Sequence, residues 1–427
     1  MSDDVYKKAG INSLFLFAIQ GLNYVFPFLV LPYLLTILSG ESFGIYTFSL
    51  TTIQFVTTIV DFGFTISISK KIASYGDDFE RISKKYWLII TTQLLIYIFL
   101  VGTVFFLTMI LPFLEVYKTG ILIGLISILG YIFFPQWLFL GMNKMKLMSL
   151  INVTSRLLTY PFFFILVKSP NDYKLSILIQ SSGFLIAGLI SLLFVLRNNA
   201  FRKFDKSNIN LQSIKNEIKN SFSILLSNSA ITIMTTSITF MLAYFSNAFY
   251  VGLYGAIDRI IQALCNAIYI PINQAFFPVI ARIKEINFGK AKSIFQNVFF
   301  AMLIIMSLVA TTFILFENQI IYYFFKDYIQ EFPDIKIILT VSIFIIIPVA
   351  LGGICGQSGL IALGGSEHKK KFSMVYINSC LVSLPLSFTF IYFFNIWGAV
   401  MAMLFSQTLV FIGMYYYSIK FNIFKRG

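Results

Sequence analysis

The amino-acid sequence predicts an all-α integral membrane protein, with twelve transmembrane helices in two parallel six-helix bundles around a central cavity. Three observations carry that expectation. Hydrophobic residues make up 58% of the 427 and charged residues only 12%, with a mean hydropathy of +0.83. A soluble domain carries about 25% charged residues, so this chain has too little polar surface to cover itself in water. Apolar runs of the roughly 20 residues needed to span a bilayer core recur along its whole length. The second half also repeats landmarks of the first, in the same order, at an offset of about half the chain.

In order, the runs are 11–38, 43–68, 87–111, 119–141, 149–167, 175–196, 221–245, 250–280, 293–316, 336–362, 372–394 and 396–419. Barrel strands would be segments of about ten residues with alternating polarity. These runs are longer and do not alternate, so they are helices, whose backbone groups satisfy one another inside lipid. Eight of the eleven prolines fall within them: Pro27, Pro32, Pro135, Pro161, Pro271, Pro278, Pro348 and Pro385. Each removes a backbone hydrogen bond and invites a kink.

Charge sets the orientation. An even number of spans puts both termini on one side. That side comprises the N-terminus, the loops 69–86, 142–148, 197–220, 281–292 and 363–371, and the C-terminal tail, and it holds 25 of the 32 Lys and Arg. The opposite loops hold Lys118, Lys168, Lys174, Lys326 and Lys336. Basic residues accumulate in cytoplasmic loops, so both termini are expected in the cytoplasm. The net charge of +14 is then mainly a topology signal. Nucleic-acid binding would gather basic residues on one folded face, and no nucleic-acid partner is expected.

"MSDDVYKKAG" at the start is acidic and then basic, and the run after it is too long for a signal-peptide core. Cys265, Cys355 and Cys380 all lie in spans without metal or redox spacing, which makes them packing residues. No cofactor is expected. His368, in "GGSEHKKK", reads as a solvated loop residue.

The repeat organises the chain. At an offset of 208 residues, Asn12-Ser13 falls on Asn220-Ser221, Gln20 on Asn228, and Gly44-x-Tyr46 on Gly252-x-Tyr254. "INVTSRLLTYP" at 151–161 faces "INSCLVSLP" at 377–385. Two lobes follow, 1–208 and 209–427, each beginning from the cytoplasm and related by an axis along the membrane normal. Gly-x-Tyr opens the second helix of each lobe, where Tyr suits the aromatic belt at the membrane interface. Two such lobes imply transport by rocking one against the other around a central site.

Four ionisable residues stand well inside the spans: Asp61, Arg156, Asp258 and Arg259. Each is costly there, by about 2.5–3.5 kcal/mol on the insertion scale. At 1.5 Å per residue, Asp61 lies about 13 Å and Arg156 about 15 Å from their basic ends, depths at which they can pair. Asp258 and Arg259 are neighbours on one helix and point about 100° apart. At the 208-residue offset, Asp61 matches Tyr269, while Asp258 and Arg259 match Leu50 and Thr51. The charges therefore break the internal symmetry. They serve either as structural pairs or as groups facing a substrate or ion.

"PYLLTILSGESFGIYTF" (32–48), "DFGF" (61–64), "PQWLFLGMNKMK" (135–146) and "VGLYGAIDRI" (251–260) together resemble landmarks of the polysaccharide-transport (Wzx-type) flippases. Those belong to the multidrug/oligosaccharidyl-lipid/polysaccharide exporter superfamily. One departure is Thr36, where that family often has Arg. The resemblance implies translocation of an undecaprenyl-pyrophosphate-linked oligosaccharide, such as an O-antigen or capsule unit, across the bacterial inner membrane. The implied partners are the lipid-linked oligosaccharide, membrane lipid, a coupling cation and other polysaccharide-assembly proteins. Arg forks suit phosphate, so Arg156 and Arg259 are the candidate substrate-binding residues. Low dielectric favours a neutral carboxyl, so Asp61 or Asp258 is the candidate ion-coupling residue, for H+ or Na+.

Two rival readings remain at this point. A cation-coupled multidrug exporter of the same superfamily would share the architecture. A membrane glycosyltransferase or polymerase would need a catalytic outer loop, and the longest outer segment, 317–335, offers only Glu317, Lys326, Asp327, Glu331 and Asp334. A transporter rather than an enzyme is expected. "FGKAKS" lacks the spacing of an ATP-binding phosphate loop.

Overall fold

The computed structural model describes residues 29–202, 209–326, 328–329 and 331–424. Most of the first expected span, with Pro27 and the Asn12, Ser13 and Gln20 side of the repeat, lies outside the described residues. The part that is described, residues 29–37, is helical (α1).

The expected runs from 43–68 to 396–419 are all helical, and several are broken within. Helices α2 (Gly40–Asp61) and α3 (Phe64–Tyr75) share one run, followed by α4 (Phe79–Ile110). Next come α5 (Lys118–Phe133) and α6 (Gln136–Gly141), parted at Pro135. Pro161 likewise parts α7 (Met145–Thr159) from α8 (Pro161–Leu166). Helices α9 (Tyr173–Leu196) and the short α10 (Asn199–Arg202) precede three long elements: α11 (Leu211–Phe245), α12 (Ala248–Ile286) and α13 (Phe288–Leu315). Then follow α14 (Glu317–Phe324), α15 (Ile335–Ile343) and α16 (Ile346–Gly353), a π-helix over Ile354–Leu363, and α17 (Ser366–Lys420). Among the described residues, ten helical stretches are long and apolar enough to cross a membrane. On α4, Ile98, Phe99 and Phe106 are 65%, 73% and 62% exposed, side chains that lipid rather than water would cover.

Helix α17 contains two of the expected spans. As one straight rod its 55 residues would reach about 80 Å at 1.5 Å per residue, far beyond a bilayer. Asn395, with φ 49° and ψ −121°, breaks it. A Cβ added at Gly398 would overlap the Phe390 carbonyl, so the chain after the break runs back beside the chain before it. Ser246 Oγ and Asn395 Oδ1 lie 2.6 Å apart, tying this turn to the end of α11.

Both Gly-x-Tyr junctions sit at helix starts. Ser39 Oγ accepts from Ser42 N to cap α2, and Asn247 Oδ1 accepts from Tyr250 N to cap α12, each satisfying a donor that the helix itself leaves open. The expected interfacial placement of the tyrosines is corrected, however. Tyr46 and Tyr254 are only 3% and 4% exposed, so their rings pack inside their helical units rather than facing lipid headgroups. His368 is also not a freely solvated loop residue. It lies in the first turn of α17, with its ring 3.8 Å from that of Phe421 and Nδ1 accepting from Gly365 N. All three cysteines are buried.

By its contacts the chain divides into two compact units, one ending at Thr232 and one starting at Ile233. This division falls inside α11, later than the repeat boundary at 208/209, because the first half of α11 lies along α2 and α3. Within the first unit, α5 and α9 pack so closely that a Cβ on Gly188 would stand 2.6 Å from Gly130 O, the small-residue packing that brings membrane helices together. Within the second, α12 packs on α13 and on the π-helix, which also meets α17.

Candidate functional site

The "DFGF" stretch forms the joint between α2 and α3. Phe62 and Gly63 take φ values of 50° and 76°, left-handed geometry that Gly adopts without strain. Gly63 is required for a second reason: a Cβ there would stand 2.8 Å from Ile224 Cγ2 of α11. The joint leaves Asp61 at the end of α2, half-buried, where its Oδ1 accepts from Thr65 Oγ1 at 2.5 Å and Tyr131 OH at 2.9 Å. Thr65 comes from α3 and Tyr131 from α5. The donors to this carboxylate are thus these hydroxyls and the backbone N–H groups of Thr65 and Gly63, rather than the Arg156 guanidinium that its depth suggested.

Arg156 lies on α7 beside a different pocket. Gln136, Asn152, Tyr160 and Gln180 line it, with Phe134 and Ala187 as apolar walls. Its volume is 30 Å³, room for about one water molecule. Asp258 and Arg259 are half-buried on α12, one turn beyond the Gly-x-Tyr junction. Gln262, one turn further on, is a hydrogen-bond partner of Asp258. Within the first unit Asp61 bonds Thr65 and Tyr131 rather than Arg156; within the second, Asp258 and Arg259 are together through adjacency. Thr36 bonds back to Tyr33 O at 2.9 Å, and a cation at that end of α1 comes from Lys168, whose Nζ lies 5.9 Å from the Tyr33 ring.

Sequence reasoning missed a third polar feature. Glu217 of α11, 6% exposed, binds Lys71 of α3 at 2.9 Å and Lys85 of α4 at 2.8 Å. These are the ion pairs among the described residues. Burial disfavours the Glu217 charge, but the hydrogen bonds and charges of Lys85 and Lys71 outweigh it and hold the carboxyl below its ordinary pKa. Farther along, Ser67 and Ser221 hydroxyls lie 2.7 Å apart and Thr58 and Thr232 hydroxyls 3.4 Å apart. Helix α11 therefore runs antiparallel to α2 and α3, facing them through matched polar stripes. The signal was present in the spacing of Glu217, Ser221, Asn228 and Thr232, which recur on one face of a helix.

A fourth feature, also missed, is a buried amide cluster in the second unit. Asn273, between Pro271 and Pro278 of α12, donates to Gln357 Oε1 and accepts from Ser358 Oγ at 3.0 Å. Both partners lie in the π-helix, an element often found at functional positions.

Residues 9–284 match the family model described as polysaccharide biosynthesis protein. The chain belongs to the polysaccharide biosynthesis protein family. Within reach of this family is a relative from Escherichia coli (strain K12) named "Putative O-antigen transporter", 29% identical over 402 residues that cover 93% of this chain and 94% of that one. A relative of the same name from Shigella dysenteriae is 29% identical over 423 residues, 94% of this chain and 98% of that one. Among solved structures, the lipid II flippase MurJ in an inward closed conformation superposes with a TM-score of 0.72. It is 15% identical, and the match covers 96% of this chain and 87% of that one. An inward-facing multidrug resistance MATE family transporter of the MOP superfamily gives 0.65 at 14% identity, covering 92% and 97%. At such identities the structural likeness shows that this family member has their fold. It does not carry over what they transport.

Proposed function

We propose that the chain is a flippase that moves an undecaprenyl-pyrophosphate-linked oligosaccharide repeat unit, such as an O-antigen or capsule unit, across the bacterial inner membrane by alternating access. The observation that supports this reading is Arg156, a guanidinium that borders a polar-lined pocket in a helix apolar enough to span a membrane. Such a group suits an anionic headgroup, because its fork binds phosphate through two parallel hydrogen bonds. The relatives named as O-antigen transporters, aligned over nearly the whole chain, support it. In this reading twelve spans form two lobes, 1–208 and 209–427, with both termini in the cytoplasm. Arg156 and Arg259 hold the pyrophosphate or an acidic sugar, and the prenyl tail stays in lipid. The 30 Å³ pocket at Arg156 is then a closed form that must widen to admit substrate. Asp61 or Asp258 couples the cycle to H+ or Na+, and other polysaccharide-assembly proteins act on either side of the step.

The test is glycan export in a strain that lacks its own flippase, with protein level measured beside it. Arg156→Ala and Arg259→Ala are expected to lower export about 10- to 100-fold at normal protein level, the size of a lost charge-assisted hydrogen bond. Arg→Lys restores only part of it. Normal export in both Ala variants refutes the substrate role of these residues. Dye efflux without glycan export would favour a multidrug exporter instead.

A further inference from the structure

On the basic side of the first unit, residues of α4, α6, α9 and α10 line an open cavity of 320 Å³, within the range of small-ligand sites, about 300–1,000 Å³. Its apolar lining includes Leu138 and Phe139, each only 1% exposed, and Phe194. Its polar lining is Lys144, Arg197 and Asn198. The walls are fixed by the fold. Ser83 Oγ and Trp87 Nε1 of α4 donate to Ala200 O and Phe201 O of α10 at 2.8 and 3.0 Å.

Among the described residues neither Lys144 nor Arg197 forms an ion pair, since both ion pairs end on Glu217. Lys144 Nζ stands 5.2 Å over the Phe194 ring. A cation at the C-terminal end of α9 would ordinarily answer the helix dipole. Arg202 already does so, its Nε donating to Leu196 O at 2.9 Å.

We propose that this cavity binds one anionic phospholipid. The phosphate sits between Lys144 and Arg197, and the glycerol and first acyl carbons cover the half-buried Met142 and Phe194. Charge complementarity selects the phosphate. The apolar floor selects a phosphate that carries a hydrocarbon chain over a hydrated inorganic ion, and basic pockets between membrane helices take acidic lipid headgroups in this way. The site is separate from the Arg156 pocket. Phe134 and Ala187 wall that pocket and Phe139 this cavity, and the three belong to one buried cluster that stands between them.

The experiment titrates delipidated protein in neutral detergent with short-chain phosphatidylglycerol, phosphatidylcholine or inorganic phosphate, and reads bound lipid by native mass spectrometry. Phosphatidylglycerol is expected to bind saturably, and the other two not at matched concentration. Lys144→Gln with Arg197→Gln should weaken it about 30-fold, as for two cations lost at a membrane surface. Met142→Trp, which fills the cavity and keeps both charges, should abolish it. Arg156→Ala, and Lys290→Gln with Lys292→Gln, should leave it unchanged. Undiminished binding in the Lys144/Arg197 variant overturns the proposal. So does inorganic phosphate binding as tightly as the lipid, or an equal loss on neutralising Lys290 and Lys292.

Discussion

Replacing Glu217 should destabilise the first unit unequally through its two lysines. At 2.8 Å and an effective dielectric of about 20, Coulomb attraction between Lys85 and Glu217 is about 6 kcal/mol before desolvation. Taking both ions out of water returns most of that. The side chains of Lys85 and Glu217 are 13% and 9% exposed, against 33% for Lys71. Glu217→Ala, which strands a buried ammonium, is therefore expected to cost about 2–3 kcal/mol, below the 3–5 of a fully buried pair. In double-mutant cycles, Lys85→Met with Glu217→Ala should couple by about 1–2 kcal/mol and Lys71→Met with Glu217→Ala by less than about 1, as for exposed pairs. The assay is equilibrium unfolding of purified protein in mild detergent. Acid gives a second readout. Glu217 titrates lower folded than unfolded, so its contribution is present above the unfolded carboxylate pKa and disappears as pH falls through the folded value. The wild type should lose stability across that acid window, and Glu217→Gln should lose less. Equal coupling for the two lysines, or an acid slope unchanged in Glu217→Gln, refutes the argument.

Further outcomes follow from the backbone and from orientation. Gly63→Ala should cost at least about 2 kcal/mol more than Gly76→Ala in the same unfolding assay. Both glycines have positive φ, but only at Gly63 does the added carbon meet a neighbour, Ile224; nothing lies within 4 Å at Gly76. Asn395→Ala should destabilise by about 1–2 kcal/mol through its left-handed backbone. Asn395→Gly should cost less, retaining only the lost bond to Ser246. Single cysteines at Ser169 and Asn247 should label from outside intact cells and those at Asp78 and Lys370 should not; the reverse pattern would invert the proposed topology.

The spans were legible because mean apolarity over twenty residues reports directly on lipid burial, and "SFGIYTF" and "YVGLYGA" mark helix starts through the caps before them. What hydropathy cannot see is where a run bends. Phe62-Gly63 divides one apolar run into α2 and α3 without any polar residue beyond Asp61 to announce it. Depth along a helix was a poor guide to partnership. Asp61 and Arg156 stand at similar depth, yet rotation about the helix axes presents Asp61 to Thr65 and Tyr131. Glu217 looked like a loop charge because its partners lie 132 and 146 residues earlier, a separation that local pattern does not bridge. The cations of the lipid cavity were counted as topology signals. Their second property, that Lys144 and Arg197 border a cavity with no carboxylate among its described lining residues, exists only in three dimensions.

The reversal at Asn395 bears on how the chain enters the membrane during synthesis. From Phe372 to Ile419 there is no charged residue, while Lys369, Lys370 and Lys371 precede that stretch and Lys420 follows it. The two arms meet at Asn395 with almost no connecting loop. Neither arm therefore carries its own orientation signal at the turn, and basic residues anchor both open ends on one side. The pair is therefore expected to enter lipid as a single helical hairpin rather than as two successive helices. A reporter domain fused at Asn395 would separate the arms and remove that coupling. Fusions at this turn would then describe the orientation of a truncated arm, whereas those made after Lys420 would describe that of the intact hairpin.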